Sequence, residues 1–313
     1  MNAPASVRAG AGDDVPLARR CPESNDGYCH FGAATPLNDQ SGLVPGVRVV
    51  RCRHCGVGIT LPPIPDVSFL YADRLSQDFQ PGTSGLANFI KTVAFRRQAR
   101  TLLRRMGNPA GRIVDFGCGS GLFTRCLGDV AKDAEVIGTD FHPTPPPALS
   151  GRPYRGAAEA GDLAGTADAV IAMHVLEHDD DTGALLARIA RHARPGGLVM
   201  LEVPNVDCAW ISVFGRFWDA WYAPYHRVHF TRTSLRSAIE AGGLTVVAEG
   251  SASVPTMGRA IANLLGRRNT LFFILVTAVL QPVQRLGEAL TGRPSALQIL
   301  ARTPARSDPA ALS

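Results

Sequence analysis

Three glycines at alternate positions follow an acidic residue near the middle of the chain. Asp115 precedes Gly117, Gly119 and Gly121, and an apolar run that ends at Val114 precedes Asp115. Glycine lacks a Cβ atom and adopts positive φ readily, so a loop of this kind allows a ligand to lie against backbone N–H groups. The same spacing also occurs in plain connections between a strand and a helix. By itself, the pattern is compatible with a nucleotide-like ligand or with a structural turn.

A second carboxylate stands where a ribose-binding acid is expected. Residues 135–139 predict a short strand that ends at Asp140, about 20 residues beyond the glycines. In open parallel sheets, ligands bind across the carboxyl ends of the strands, and an acid at the second tip can accept hydrogen bonds from both ribose hydroxyls. The runs 167–173 and 198–205 predict two further strands. This order of elements favours a ligand site over a plain turn.

Four motifs in this order resemble the class I S-adenosylmethionine-dependent methyltransferases that act on small molecules. They are Asp-x-Gly-Cys-Gly-x-Gly at 115–121, the acid after the second strand, Leu-Glu-His at 176–178 and Arg-Pro-Gly-Gly at 194–197. The resemblance extends over residues 86–249. It implies an α/β fold with a Rossmann-like seven-stranded sheet, and an enzyme that uses S-adenosylmethionine as its methyl donor.

The resemblance also assigns residues to the cofactor. It implies that the glycine loop surrounds the methionine end and the ribose, that Asp140 holds the ribose hydroxyls and that Glu159 lies beside the adenine ring. For Glu159, a solvated surface acid is an equal alternative. The residues assigned to the cofactor are Asp115, Gly117, Cys118, Gly119, Gly121, Asp140, Glu159 and His174.

Two other classes of protein compete with a methyltransferase. Nicotinamide dehydrogenases share the strand, the glycine turn and the distal acid. However, the glycines here lack the G-x-G-x-x-G register that places a helix N-terminus against a pyrophosphate, so hydride transfer is less favoured. The second alternative is a non-catalytic scaffold of the same fold that binds the cofactor and partner proteins.

Composition sets the broad class of the protein. The 313 residues are 45% hydrophobic and 19% charged, with a net charge of +5, as in a soluble globular protein with one main domain. Basic residues are not clustered with aromatics, so we expect no nucleic-acid partner. Residues 1–20 have no apolar stretch of signal-peptide length, so we expect a disordered N-terminus and a cytoplasmic enzyme.

Four of the seven cysteines lie in the N-terminal part and suggest a metal site. Cys52 and Cys55 are separated by two residues and can chelate one metal ion through their thiolates. With Cys21 and Cys29 they would complete a tetrahedral zinc site in a module at 21–70, or His30 would replace one of the cysteines. A four-ligand site would be structural. The alternative is a cysteine-rich module that binds no metal.

Histidines are the candidates for chemistry at the methyl acceptor. Methyl transfer needs an in-line approach of the nucleophile and often a base that takes its proton, a role suited to histidine. His174 and His178 follow the strand at 167–173, and we treat both as catalytic candidates. The segment from His226 resembles one in sugar C-methyltransferases whose matching histidine is a base. A structural role remains the alternative for His178 and for His226.

The C-terminal third contains an unusual apolar insertion. Runs at 244–249 and 297–302 predict the last antiparallel strand pair, so residues 250–295 form an insertion within a domain made of 86–249 and 296–303, followed by a tail at 304–313. Residues 271–280 are continuously apolar, which is too short for a bilayer span of about 20 residues. A helical lid, a homodimer contact and a helix at the membrane surface, through 268–290, stay open.

The acceptor class follows only from the resemblance. Cysteine-rich N-termini and segments like that at His226 occur in methyltransferases of nucleotide-linked deoxysugars. We therefore expect a small acceptor, such as a nucleotide- or lipid-linked sugar in glycan or natural-product biosynthesis. Oxygen, carbon and nitrogen all remain as acceptor atoms.

Overall fold

The computed structural model describes residues 19–64, 67–71, 85–267 and 270–305. The predicted disordered segment 1–20 lies outside these residues except for its last two, and so does the predicted tail beyond residue 305. The strands are β1 (Thr35–Pro36), β2 (Arg48–Arg51), β3 (Gly58–Leu61), β4 (Arg112–Phe116), β5 (Glu135–Asp140), β6 (Tyr154–Gly156), β7 (Ala167–Met173), β8 (Ala193–Pro204), β9 (Val228–His229), β10 (Thr245–Ala252) and β11 (Ala296–Arg302). The helices are α1 (Ser68–Tyr71), α2 (Gly85–Arg105), α3 (Leu122–Val130), α4 (Thr182–Ala190), α5 (Ile211–Phe214), α6 (Arg232–Ala241), α7 (Met257–Leu264) and α8 (Leu271–Thr291).

Seven strands form one mixed sheet in the order β10-β11-β8-β7-β4-β5-β6. Neighbouring strands from β8 through β6 are parallel, whereas β11 runs antiparallel to both β8 and β10. The carboxyl ends of β4, β5 and β7 therefore meet at one edge of the sheet. Because the chain order reverses at β4, this edge is where an α/β sheet of this kind binds its ligand. The predicted α/β fold with seven strands is confirmed.

Helices cover both faces of the large sheet, which explains why its central strands are apolar almost throughout. On one face, Ile113 of β4 packs with Leu102 of α2 and Leu127 of α3. On the other face, Val114 belongs to the same cluster as Leu186 of α4. Successive residues of β4 thus point into two different cores, as strand geometry requires.

A second, antiparallel sheet in the order β1-β2-β3-β9 belongs to the cysteine-rich N-terminal part. Its first three strands lie within residues 35–61, but β9 comes from residues 228–229. Gly58 and Ile59 of β3 pair with His229 and Val228 of β9. The segment before α6 therefore completes the sheet of the N-terminal module.

The connection between β5 and β6 contains no α-helix, only a short 3-10 turn at Pro147–Leu149. Four of the five residues at 143–147 are prolines, which exclude a regular helix here. A proline ring removes a backbone donor and clashes with the preceding turn, so the chain crosses this face of the sheet in an irregular conformation.

Two helices, α7 and α8, form the insertion between β10 and β11. Helix α8 has 21 residues, so it is longer than the ten-residue run 271–280 suggested. By length and composition alone it could cross a membrane. Only 22% of its most apolar window is buried, so it is not a core helix. It extends further because polar residues of its second half bond to the domain. Gln284 Nε2 donates to the backbone oxygen of Val254 at 2.7 Å, and Gln281 Nε2 donates to Ser253 Oγ at 3.1 Å.

Candidate functional site

The glycine loop connects the end of β4 to the start of α3. Gly117, Gly119 and Gly121 have φ values of 72°, 53° and 71°. A Cβ atom at Gly117 would lie 2.6 Å from Val175 Cγ2, and one at Gly121 would lie 2.6 Å from Leu149 Cγ. Both the conformation and the close packing therefore require glycine at these two positions.

Asp140 ties the glycine loop to the end of β5. Gly119 N–H donates to Asp140 Oδ2 at 2.9 Å, and Phe141 N–H donates to Asp140 Oδ1 at 2.9 Å. Cys118 N–H donates to the backbone oxygen of Thr139, also at 2.9 Å. Each carboxylate oxygen keeps a lone pair that could accept from a ribose hydroxyl.

Burial controls the protonation of both acids at this edge. Asp115 is 3% exposed, and burial raises its pKa to about 7, although the Thr124 hydroxyl donates to Asp115 Oδ2 at 2.6 Å and favours the charged form. Burial also raises the pKa of Asp140. Because a nearby cation stabilises charged carboxylates, the pair suits a ligand that carries positive charge at one end and hydroxyls at the other.

The remaining residues assigned to the cofactor differ in exposure. Cys118 is buried against Leu149 and Tyr154, and this burial raises the pKa of its thiol. It is therefore a packing residue of the loop rather than a reactive thiol. Glu159 is exposed, three residues beyond the end of β6. Its contact with the adenine ring stays a prediction.

His174 follows β7 directly and has a φ of 55°. Its ring lies between two buried carboxylates, with Nδ1 3.3 Å from Glu177 Oε1 and Nε2 3.1 Å from Glu202 Oε1. Burial alone would lower the pKa of His174, but its close contacts with Glu177 and Glu202 and their negative charges raise it to about 10. The ring is thus an imidazolium at neutral pH. The charged ring therefore suits a cation that positions Glu177, and it does not suit a general base.

Glu202, on β8, is a site residue that sequence reasoning missed. It is 1% exposed, and Gln298 Nε2 donates to its Oε2 atom while Arg105 donates to Gln298 Oε1. These contacts and the ion pair with His174 lower the pKa of Glu202, against the effect of burial. The one available signal was a carboxylate inside an otherwise apolar strand.

His178 and His226 come together with Glu177, although 48 positions separate the two histidines in the sequence. Their ring centroids are 4.8 Å apart, and His226 Nε2 lies 3.8 Å from Glu177 Oε1. Burial lowers the pKa of His226 well below its usual range, and nearby His178 and His229 act in the same direction. His226 is therefore neutral at neutral pH. Its Nδ1 donates to the Ala220 carbonyl at 2.9 Å, so its lone pair is on Nε2.

The four predicted cysteine ligands form one group. Cys21 Sγ lies 3.8 Å from Cys52 Sγ, Cys29 Sγ lies 3.8 Å from Cys55 Sγ, and all four sulfurs lie within 4.8 Å of one another. Tetrahedral zinc with bonds of about 2.3 Å separates its sulfurs by about 3.8 Å. The group is therefore compatible with structural zinc. His30 is not part of it, because its Nε2 pairs with Asp26 Oδ2 at 2.8 Å.

Backbone and side-chain contacts join this cysteine group to the segment that contains His226. Thr231 Oγ1 donates to the Cys55 carbonyl at 2.7 Å, and Thr60 Oγ1 donates to the His226 carbonyl at 2.7 Å. Arg227, which is fully buried, donates to the Thr60 carbonyl at 3.0 Å and pairs with Asp180 at 3.2 Å. The N-terminal module therefore holds the histidine segment in place. Sequence reasoning missed Thr60, Arg227 and Asp180.

Comparisons with known proteins show which family the chain matches. Residues 91–249, half of the chain, match the family described as a methyltransferase domain. A ubiquinone biosynthesis O-methyltransferase of Rhodopseudomonas palustris (strain BisA53) is 29% identical over 180 residues, which cover 50% of this chain and 70% of that protein. A trans-aconitate 2-methyltransferase of Azoarcus sp. (strain BH72) is 32% identical over 123 residues, which cover 35% of this chain and 46% of that protein.

Among solved structures, the chain is similar to a Burkholderia thailandensis 1,6-didemethyltoxoflavin-N1-methyltransferase with bound 1,6-didemethyltoxoflavin and S-adenosylhomocysteine. The sequence identity is 17% and the TM-score 0.49, over 87% of this chain and 100% of that one.

Proposed function

Because the chain belongs to the family of S-adenosylmethionine-dependent methyltransferases and is an enzyme of that class, we propose that it methylates a hydroxyl oxygen of a lipid-linked small molecule. When bound, the cofactor supplies an electrophilic methyl carbon. The residues assigned to it are those of the glycine loop with Asp115, Asp140 and Glu159. The acceptor is received by the loops after β7 and β8 and by the segment before β9.

The observation that carries the proposal is the lone pair of His226. A neutral histidine held by the Ala220 carbonyl, with Nε2 facing a carboxylate, can activate a hydroxyl by taking its proton. His174 is already protonated, so it cannot do this at neutral pH. An oxygen acceptor is also named for the Rhodopseudomonas palustris relative, which is an O-methyltransferase.

An exposed apolar stripe on α8 supports a lipid-linked acceptor. The stripe consists of Phe272, Leu275, Val279, Val283, Leu286 and Leu290. These positions recur every three or four residues and so share one face of the helix. Val279 is 75% exposed and Leu290 78% exposed. A soluble monomer rarely exposes so continuous an apolar surface.

Charge favours a membrane surface as the partner of this stripe. Arg285 is the one charged side chain of α8 that is exposed, since Glu288 is buried and bonds to Gln284. An apolar face accompanied by basic and not acidic residues suits an interfacial helix on anionic lipid. The bonds from α8 to the domain support a position on the membrane rather than across it. A peripheral enzyme at the cytoplasmic face follows from this proposal.

A labelling experiment tests the proposed reaction. The purified chain is incubated with methyl-¹³C-labelled S-adenosylmethionine and a panel of hydroxylated aromatic, sugar and lipid-linked acceptors. We expect S-adenosylhomocysteine to form with at least one acceptor and the labelled carbon to appear as a methoxyl resonance. A C-methyl or N-methyl resonance would refute the oxygen acceptor. Cofactor binding without turnover for the whole panel would favour the scaffold alternative.

A matched pair of variants tests the membrane surface. Val279→Asp should abolish co-sedimentation with anionic phosphatidylglycerol vesicles, whereas Val247→Asp, the same change at a half-exposed position of edge strand β10, should not. Equal binding by both variants would refute the membrane contact. If Val279→Asp instead converts a dimer into a monomer in sedimentation velocity without any effect on vesicle binding, the stripe is a homodimer contact.

A further inference from the structure

Three side chains at the acceptor end could hold a metal ion at a place separate from the cysteine group. Glu177, His178 and His226 each offer one ligand atom, and these atoms lie within 4.8 Å of one another. Two of the residues come from the loop after β7 and the third from the segment before β9. Two imidazoles and one carboxylate are a common ligand set for divalent transition metals.

The hydrogen bonds of the two histidines have the pattern found in metal ligands. His226 Nδ1 lies 2.9 Å from the Ala220 carbonyl and His178 Nδ1 lies 3.0 Å from the Tyr225 carbonyl. A carbonyl can only accept, so each Nδ1 carries a proton and Nε2 is the nitrogen of each ring that can bind a metal ion. Metal-binding histidines are usually oriented in this way by a backbone carbonyl behind the ring.

Glu177 provides the second, independent observation. The side chain is 1% exposed, and within the described residues neither carboxylate oxygen accepts a hydrogen bond. Its Oε1 atom lies 3.3 Å from Nδ1 of the His174 imidazolium and 3.8 Å from Nε2 of the neutral His226. A buried carboxylate that lacks hydrogen bonds is costly unless another group satisfies its oxygens. A cation between the three ligands would do so.

We infer that Glu177, His178 and His226 bind one divalent transition-metal ion that holds the acceptor hydroxyl. Three protein ligands leave positions open for an acceptor oxygen, as in catalytic rather than structural metal sites. A hydroxyl held there becomes more acidic. Its proton leaves to solvent, its oxygen forms the bond to the methyl carbon, and the carbon–sulfur bond of the donor breaks. This inference rests on the proposed methyl transfer to oxygen, but it replaces His226 as the base: the Nε2 lone pair binds the cation, and the cation makes the hydroxyl acidic.

Manganese distinguishes this site from the cysteine group. Mn²⁺ prefers oxygen and nitrogen ligands, whereas four thiolates select zinc. The full chain, with zinc retained at the cysteines and weaker ions removed by brief chelation, is titrated with Mn²⁺, and the free ion is followed by electron paramagnetic resonance. We expect one Mn²⁺ bound per chain.

Matched variants locate the bound ion. Glu177→Gln preserves shape and removes the charge, and we expect at least about tenfold weaker Mn²⁺ binding, since even changes behind a ligand cost that much. His226→Gln should have the same effect. His192→Gln, at a buried histidine between α4 and β8, should bind Mn²⁺ as the wild type does. Thermal unfolding of each variant verifies that it is folded.

The outcomes separate the two proposals. Failure of the wild type to bind Mn²⁺, Co²⁺ or Zn²⁺ outside the cysteine group would overturn the metal site, and so would equal binding by Glu177→Gln and His226→Gln. If methyl transfer proceeds in excess chelator while no such ion binds, the methyltransferase proposal survives and the metal proposal fails. If the ion binds as expected but no acceptor is methylated, the metal site stands and the proposed reaction fails.

Discussion

The proposed cofactor end and the proposed acceptor end of this site are built in different ways. At the cofactor end, the essential residues lie between positions 115 and 141 and act largely through backbone conformation, as Gly117 and Gly121 show. At the acceptor end, segments around residues 55–60, 174–180 and 226–231 converge through side chains. A site made by one loop can be recognised from a motif, whereas a site made by converging segments requires the tertiary structure.

The two ends also differ in their buried charges. The cofactor end holds acids whose pKa values burial raises, namely Asp115 and Asp140. The acceptor end holds histidines whose pKa values burial lowers, namely His226 and His229. The first end thus presents buried acids, whereas the second presents a neutral His226 with a lone pair on Nε2. Separate perturbation of the two ends should therefore have separable effects.

The largest difference between the effect on turnover and the effect on cofactor affinity is expected for His226→Ala. Loss of the Nε2 lone pair should lower turnover by about 10²- to 10⁴-fold. Affinity for S-adenosylhomocysteine, measured by calorimetry, should stay within a factor of about two, because no cofactor residue changes. His192→Gln, at a buried histidine between α4 and β8, is the matched control and should retain turnover. Turnover of His226→Ala at the wild-type rate would exclude the lone pair from activation of the acceptor.

The reverse effect is expected for Asp140→Asn. Loss of charge-assisted hydrogen bonds should weaken S-adenosylhomocysteine binding by about 10- to 100-fold. Asp133→Asn, at an exposed position just before β5, should bind normally. Glu159→Gln in the same calorimetric series decides the role of Glu159, since a solvated acid would leave the affinity unchanged. Normal binding by Asp140→Asn would contradict the ribose assignment.

Disruption of the cysteine group should affect only the acceptor end. Cys52→Ser should lose bound zinc and lower turnover by about tenfold or more, the size of effect seen when groups behind an active site are removed. The physical reason is that two hydroxyls join the module to the His226 segment: the Thr60 hydroxyl donates to the His226 carbonyl, and the Thr231 hydroxyl donates to the Cys55 carbonyl. Cys126→Ser, at a buried cysteine of α3, is the control for zinc content. An equal loss of cofactor affinity in Cys52→Ser would mean that the two ends are not separable.

The smallest effect concerns the pH dependence of stability. Burial lowers the pKa of His229 to about 3, helped by the charges of Arg227 and Arg51. As pH falls below the ordinary value of about 6.5, the unfolded chain binds the proton first, so this contribution to stability is lost. His229→Gln should flatten the decline of the unfolding free energy by up to about 1.4 kcal/mol per pH unit in acid. Urea unfolding at several pH values measures it, and unchanged slopes would refute it.

Asp115 should change the pH dependence of the unfolding free energy in the opposite direction. Its pKa is raised to about 7 in the folded protein, so its contribution is present at low pH and is lost as pH rises from about 4 to about 7. Asp115→Asn should therefore flatten a decline of stability toward neutral pH. The same urea series measures both variants and shows whether the two ends respond to pH in opposite directions.

Sequence alone predicted the features that depend on local patterning. The apolar runs predicted the strands of the large sheet except β6, a three-residue strand with the sequence Tyr-Arg-Gly. The glycines marked a loop that the structure shows with positive φ at each of them. The cysteine spacing identified four residues that the structure brings together. The adjacent His30 was a weaker candidate, and its partner is instead Asp26.

Features that arise from tertiary contacts were not predictable. Strand β9 has two residues, too few for a period, and pairs with a strand about 170 positions away. Arg227 reads as a surface residue in the sequence, yet it is fully buried because Asp180 and the carbonyls of the module surround it. Helix α8 extends beyond its continuously apolar run because Gln281 and Gln284 in its second half bond to the domain.

Hydrogen–deuterium exchange with and without S-adenosylhomocysteine tests the division of the site most directly. We predict slower exchange on ligand binding in residues 115–121 and 138–142, and unchanged exchange in residues 52–60 and 226–231. Protection at the histidine segment without protection of the glycine loop would contradict the account, as would equal protection of both.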